Sequence, residues 1–377
     1  MASAPSLPQP ESEPQSEPQS KLRLTSPAQI LTAVPYLLGF SPARSVVVMS
    51  LRDKQVGLTM RLDIDTPPRE LRETVVERLR ADGANKAVIV LFDPDETGDS
   101  FDPGGSVDPG ASADPADTGT RPGHRIARPL IRAVRRAGLT VVDAIVVHRG
   151  RFWSYLCDEP RCCPPEGRPL PTAGQPDHSL VASTFVAMGA APMASREALH
   201  ASIGAAAPER QAQLWPAFER ALEAPAADPI DRWWEVVQRY REVPPRAPLP
   251  DDEAAQLVVS LGDVLIRDEV ISWTAGDEIS GVLAVLRELA PMAPPPFDTQ
   301  VLASLAWSAY SFGDGALASA ALNRALDSDP MHNLSRLLEV ALTNGVDPEK
   351  LRSVSIDLIT DLRRQESRAS ARSRDAR

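Results

Sequence analysis

The chain has little lysine, cysteine or aromatic character, and it lacks long apolar runs. Its 377 residues include 40 basic ones, of which only four are lysine, and aromatic residues make up 5%. No apolar run approaches the roughly 20 residues of a membrane helix. The N-terminus, MASAPSLPQPESEPQSEPQS, has neither the basic start nor the apolar stretch of a secretory signal. We therefore expect a soluble, cytoplasmic protein that makes no membrane contact.

Common enzyme signatures are also missing from the sequence. We find no phosphate-binding loop ending in Gly-Lys-Ser/Thr, no dinucleotide fingerprint, no His-Glu-x-x-His and no nucleophile elbow. This pattern favours a non-enzymatic protein.

A strong affinity for nucleic acid is equally unexpected, because the net charge is −11 and such binding needs clustered cations. One basic stripe occurs, at spacings of four and three that predict a single helix face, but no aromatic residues interleave with it. Its members are Arg121, Arg125, Arg128, Arg132 and Arg135. We interpret the stripe as a solvated face; docking of an acidic protein and nucleic-acid binding are the alternatives.

Three segments are too poor in apolar residues to form a core, and we expect them to be disordered. They are the N-terminal residues 1–22, the insert at 93–120, rich in Asp, Gly, Pro and Ser, and the Arg- and Ser-rich tail at 366–377.

Strand and helix signals alternate in residues 23–200, which predicts an α/β domain with a mixed sheet. Ser26, Pro27 and Gln29 form a helix start, with a serine cap and a capping-box glutamine. The expected strands are Ser45–Leu51, Val56–Ile64, Lys86–Phe92, Thr140–His148 and Arg151–Leu156, and the expected helices are Arg69–Ala81 and Arg125–Ala137.

The second half carries only helical signals. Residues 201–250 are expected to be a linker with helical segments, and residues 251–365 an all-α helical domain. The expected helices of that domain are Asp252–Trp273, Glu278–Leu289, Thr299–Phe312, Ala316–Asp327, Asn333–Thr343 and Pro348–Arg363.

Asp268 falls at the centre of an apolar stripe on the first of these helices, among Leu257, Leu261, Val264 and Ile271. A buried carboxylate must be paired or have a shifted pKa. We expect Arg267 to point instead towards Asp263, so that Asp268 takes a partner from elsewhere. Asp268 is either half of a structural ion pair or an acid that lines a cleft between the domains.

All three cysteines, Cys157, Cys162 and Cys163, lie within seven residues in a proline-flanked loop. The gap between Cys157 and Cys162 is typical of zinc ligands, and thiolates suit zinc. A fourth ligand would come from His148, at the end of the preceding strand, or from His178, beyond the loop. Structural zinc, transient redox chemistry and inert thiols are the three readings.

Three separated segments carry a resemblance to a protein family. They are LTSPAQILTAVPYLLGFSPARSVVVMSL, RFWSYLCDEPRCCPPEG and SLAWSAYSFGDGALASAALNRALDSDPMHNLSRLL. The chain resembles, from about Leu24 to Leu351, the actinobacterial family catalogued as domain of unknown function 4192. The resemblance implies a shared fold and a bacterial origin; it implies no activity and no catalytic residue.

A second, local resemblance is to one tetratricopeptide unit near residues 299–332. Its residues are Gly313, Ala318, Leu322, Ala325 and Pro330, while Leu302 and Ala309 stand where Trp and Tyr are usual. We expect a degenerate helical hairpin within a bundle rather than a peptide-binding array.

The leading functional hypothesis is a non-enzymatic cytoplasmic scaffold or regulatory protein, whose helical half binds a protein partner. The alternative is an enzyme whose site lies near Cys157 and His148 and is closed by the helical domain.

Overall fold

The computed structural model describes residues 23–53, 55–93, 121–187, 191–242 and 247–353. The disorder that we predict for residues 1–22, for nearly all of 93–120 and for 366–377 therefore lies outside the described residues. So does most of the last predicted helix, of which residues 348–353 are helical.

A mixed sheet organises the first half, as predicted; it has six strands, one more than expected. The strands are β1 (Ser45–Arg52), β2 (Gln55–Asp63), β3 (Lys86–Asp93), β4 (Thr140–His148), β5 (Arg151–Ser154) and β6 (Arg168–Pro169). Their order across the sheet is β2-β1-β3-β4-β5-β6. All neighbours are antiparallel except β3 and β4, and the connection between these two includes a helix, as parallel neighbours require.

Alternation along the strands sends side chains to two separate apolar cores. In β1, Val46 and Val48 pack on one face, against α2 (Pro68–Ala81) and α3 (His124–Arg136). Val47 and Met49 point to the other face, into a core that continues through the helical half. The period of two along a strand thus builds a helix layer on each side of the sheet.

The first helix, α1 (Pro27–Leu38), begins as its sequence predicts. The Ser26 hydroxyl accepts a hydrogen bond from the Gln29 backbone N–H at 3.2 Å. The Gln29 side chain in turn accepts from the backbone N–H of Thr25 at 2.8 Å, one residue before the cap. The helix ends at Gly39, whose φ of 75° is left-handed.

Helices make up the rest of the chain. They are α4 (Pro176–Ala187), α5 (Arg196–Ser202), α6 (Pro208–Glu223), α7 (Pro229–Glu242), α8 (Asp251–Ser260), α9 (Val264–Ser272), α10 (Ile279–Met292), α11 (Asp298–Phe312), α12 (Gly315–Ser328) and α13 (Asn333–Thr343). Among the described residues, none of these helices combines the length and apolar character needed to cross a bilayer.

Two predictions for this half need correction. Residues 201–250 are more than a linker, because α6 and α7 bury Phe218 and Trp233 completely. The predicted helix Asp252–Trp273 is two helices, α8 and α9, separated at Leu261–Asp263. Gly262 interrupts the first, and the Asp263 carboxylate caps the second by accepting from the Leu265 N–H at 2.8 Å.

Candidate metal centre

The cysteine loop, residues 155–167, is anchored to β5 through Trp153. Trp153 packs into the core under α2 and α3, and its indole N–H donates to the carbonyl of Pro165 at 2.9 Å. Gly167 lies against the same indole with a φ of 78°, where a Cβ would come 2.4 Å from Trp153 Cε2. Only glycine fits this position, since it combines a left-handed backbone with close approach to a ring.

Arg121 holds the start of the loop from the other side. Its guanidinium donates to the backbone carbonyls of Ser154 and Cys157, the latter at 2.6 Å, and to the Asp158 carboxylate at 3.1 Å. The Tyr155 hydroxyl returns a contact by donating to the Arg121 carbonyl at 3.2 Å. Arg121 thereby joins the entry to α3 to the first half of the cysteine loop.

The loop brings its three thiols together. The ligand atoms of Cys157, Cys162 and Cys163 all lie within 4.8 Å of one another. The Glu159 carbonyl makes this possible, because it accepts the backbone N–H groups of Cys162 at 3.0 Å and of Cys163 at 2.7 Å and so turns the chain back. Cys162 is exposed, Cys157 is half-buried and Cys163 is buried.

The thiols differ in acidity. A hydrogen bond with the backbone of Glu159, followed by one with Cys163, lowers the pKa of Cys157 below its ordinary value, and the positive charge of Arg121 adds to this. Burial raises the pKa of Cys163 to about 11. Of these two thiols, Cys157 therefore ionises at the lower pH and is the stronger nucleophile at neutral pH.

Neither of the predicted histidine ligands lies in the cluster formed by the three cysteine thiols. His148 pairs with Arg151 beside the Arg149–Gly150 turn, whereas the cysteines follow the opposite end of β5. His178 lies in the first turn of α4, and burial lowers its pKa. His148 and Cys157 thus lie towards opposite ends of β5.

Three thiols at this spacing could hold a metal ion. Zinc–sulfur bonds of about 2.3 Å in a tetrahedron place sulfur atoms roughly 3.8 Å apart. The observed limit of 4.8 Å needs a contraction of at most about 1 Å, which rotation about the cysteine χ1 angles can supply. A disulfide needs a larger approach, since bonded sulfurs are about 2.05 Å apart.

The basic stripe is shorter than predicted. Arg125, Arg128, Arg132 and Arg135 are exposed on α3, as expected for a solvated face. Arg121 precedes the helix and is half-buried against the cysteine loop, so its placement on the stripe was wrong. The helical spacing of the arginines continues back to Arg121, but α3 begins only after Gly123, whose φ of 70° is not helical.

Asp268 is buried on α9, with 9% of its surface exposed. Its partner is the adjacent Arg267, whose Nη2 and Nε donate to Asp268 Oδ1 at 2.7 and 2.9 Å. The expectation that Arg267 turns towards Asp263 was wrong, because Asp263 lies outside the helix and binds the Leu265 N–H. The positive charge of Arg267 also contributes, after burial, to a lowered pKa of His332. The ion pair therefore lies within α9, and His332, the residue before α13, lies close enough to feel the charge of Arg267.

Two residues shape the centre in ways that were not predicted: Arg121, which was assigned to the basic stripe, and Gly167. Arg121 contacts groups 33 to 37 positions away, and no periodicity encodes such a contact. Gly167 did carry a signal, as a glycine closing the proline-rich run PPEG.

Comparison with known proteins assigns the chain to a family without describing an activity. The family model described as Domain of unknown function (DUF4192) matches residues 27–349. Neither the curated proteins nor the solved structures contain a match. Since the matched region spans most of the chain and includes the sheet, the cysteine loop and the helical half, this protein belongs to the DUF4192 family.

Proposed function

We propose that the protein is a non-enzymatic, cytoplasmic scaffold whose helical half binds a protein partner. The observation that carries the proposal is the outer face of α13. Leu337 and Val340 lie one turn apart and are 68% and 59% exposed, while Leu334 and Leu338 of the same helix are buried. A surface helix ordinarily confines its apolar residues to the buried face.

The apolar face of α13 is defined here by Leu337 and Val340. The helix that carries it packs beside a helical hairpin. α11 and α12 pack against each other across Gly313, whose φ is 96°, and α13 packs on both. We propose that this hairpin is the tetratricopeptide-like unit to which the sequence is similar. Stacked helices of that kind leave room for another helix beside them, so the partner we propose is an amphipathic helix that inserts its apolar stripe.

Site-directed photo-crosslinking tests this proposal. A photoreactive phenylalanine analogue at Leu337, in full-length protein expressed in its native host, should give one discrete adduct after irradiation. Val340→Asp in the same protein should abolish it. The matched control carries the analogue at Val142, which is 49% exposed on β4.

Two results would contradict the proposal. One is an adduct pattern at Leu337 that matches the pattern at Val142. The other is a large loss of stability in Val340→Asp, because a free surface position should change the free energy of unfolding by no more than about 0.5 kcal/mol. A large loss would mean that this chain itself covers the face.

A second proposed function is zinc binding at the cysteine loop. The carrying observation is the convergence of three thiols, of differing exposure, to within 4.8 Å. Arg121, Trp153 and Gly167 preorganise the loop, which reduces the entropy lost when a metal binds. Zinc would tie the loop together as thiolates replace thiols and their protons pass to water. Cys157, whose pKa is lowered, would release its proton more readily than Cys163, whose pKa is raised.

Elemental analysis of untagged protein purified without chelator tests zinc binding. We expect about one zinc per chain, and its loss in a Cys157→Ser, Cys162→Ser double variant. Folded protein that contains no metal and has three freely titrating thiols would exclude the site and leave redox chemistry or inert thiols.

A further inference from the structure

We infer that the metal centre has only three protein ligands and that its fourth position is open to an exchangeable ligand from solution. The inference rests on the proposed zinc binding and deepens it. Zinc prefers four tetrahedral ligands, and an incomplete protein set leaves the last position to water or to another small donor.

The donors nearest in sequence are already engaged. The Asp158 carboxylate binds Arg121 at 3.1 Å. The Glu159 carboxylate accepts from the Arg161 backbone N–H at 3.4 Å. Within the described ranges, the group of potential ligands that converges here consists of the three cysteines alone. A carboxylate from this part of the chain would have to move towards the thiols before it could become a fourth ligand.

The open position faces solvent. Cys163 forms the buried floor of the group, whereas Cys162 is exposed, and so are Asp158, Glu159 and Arg161 around it. A small molecule can therefore reach the metal without unfolding the loop.

The charge of the centre defines which ligands suit it. Three thiolates on a divalent zinc ion leave one net negative charge, close to the positive charge of Arg121. A monodentate donor that is neutral or singly negative, an imidazole nitrogen or a thiolate sulfur, would complete the tetrahedron. The imidazole nitrogen and the thiolate sulfur are both soft or borderline donors, the kind of ligand that zinc accepts.

Cobalt substitution tests the inference, because tetrahedral cobalt(II) reports its ligands by visible absorption. Full-length, untagged protein is loaded with one equivalent of cobalt and titrated with imidazole in one arm and with 2-mercaptoethanol in the other. We expect a saturable change of the d–d bands with imidazole, and a new sulfur-to-cobalt charge-transfer contribution with the thiol. His148→Ala and His178→Ala should leave the starting spectrum unchanged.

The outcomes distinguish loss of the open fourth position from loss of the metal site itself. Cobalt that binds with thiolate bands but responds to neither added ligand would overturn the open position and leave metal binding intact. A starting spectrum altered by His148→Ala or His178→Ala would also overturn it, by identifying a fourth protein ligand. Protein that takes up neither cobalt nor zinc would refute the metal site, and the inference with it.

Discussion

Replacing Asp268 with alanine should destabilise the protein far more than an ordinary surface change. The substitution removes one member of an ion pair whose side chains are each 12% exposed, with 2.7 Å between Arg267 Nη2 and Asp268 Oδ1. At an effective dielectric constant of about 20, the attraction at this distance is about 6 kcal/mol. Desolvation of the two ions offsets several kcal/mol of this.

The expected net loss follows from what the substitution leaves behind. In Asp268→Ala the Arg267 guanidinium stays buried without its carboxylate, beside His332, whose pKa it already lowers. Breaking one side of a buried pair costs about 3–5 kcal/mol. Asp268→Asn keeps the volume and one acceptor oxygen, so we expect it to lose less.

Urea unfolding of four proteins measures this: the wild type, Asp268→Ala, Arg267→Leu, and the double variant Arg267→Leu, Asp268→Leu. The double variant should regain most of the loss, because an apolar pair leaves no uncompensated charge. If Asp268→Ala unfolds within about 0.5 kcal/mol of the wild type, as a surface substitution would, the account of a buried, paired acid is refuted.

Three further predictions concern the cysteine loop. Gly167→Ala should lower the free energy of unfolding by about 2–5 kcal/mol, because alanine is strained in a left-handed backbone and its Cβ would overpack against Trp153. Urea unfolding measures this loss. The control is Gly174→Ala: Gly174 also has a positive φ, 92°, but a Cβ there would meet nothing within 4 Å, so only the backbone strain should appear. Arg121→Ala should raise the rate of amide hydrogen exchange across residues 155–167, because three hydrogen bonds of about 1 kcal/mol each are lost. Arg125 is exposed on α3, so Arg125→Ala should leave that rate unchanged. Equal exchange rates in the two variants would contradict the role of Arg121. In chelator-treated protein, iodoacetamide should label Cys157 at a lower pH than Cys163, whose pKa is about 11, and peptide mass spectrometry showing the reverse order would count against the geometry of the loop.

Local patterns predicted most of the elements, because those patterns report burial directly. The run TVVDAIVVH gives β4 with the predicted bounds Thr140–His148, and the spacing in Asn333–Thr343 gives α13 with its predicted bounds. Both segments are buried on one or both faces, where apolar periodicity and structure have the same cause.

The errors arose where a pattern was continued through a break. The stripe that was drawn through Asp252–Trp273 crosses Gly262 and Asp263, a glycine stop followed by an aspartate cap. With a new helix starting at Val264, that residue becomes 53% exposed instead of buried. Because Asp263 caps α9 and is not part of a continuous helix, the expected pairing of Arg267 with a residue four positions earlier on the same helix no longer applies. The helix break at Gly262 and Asp263 could have been predicted from the sequence. The contact between Arg121 and the cysteine loop could not, because it depends on the tertiary fold.

The metal centre and the partner surface are proposed on different cores of the molecule. The cysteine loop is fixed through Trp153 to the core under α2 and α3, whereas α13 packs through Leu334 and Leu338 into the core that runs from the opposite face of the sheet. The sheet separates the two cores, and changes at distant sites that share no partners are usually additive. Removing the metal should therefore loosen residues 155–167 without altering the apolar face of α13. The two proposed functions are independent on this argument, and either can fail without the other.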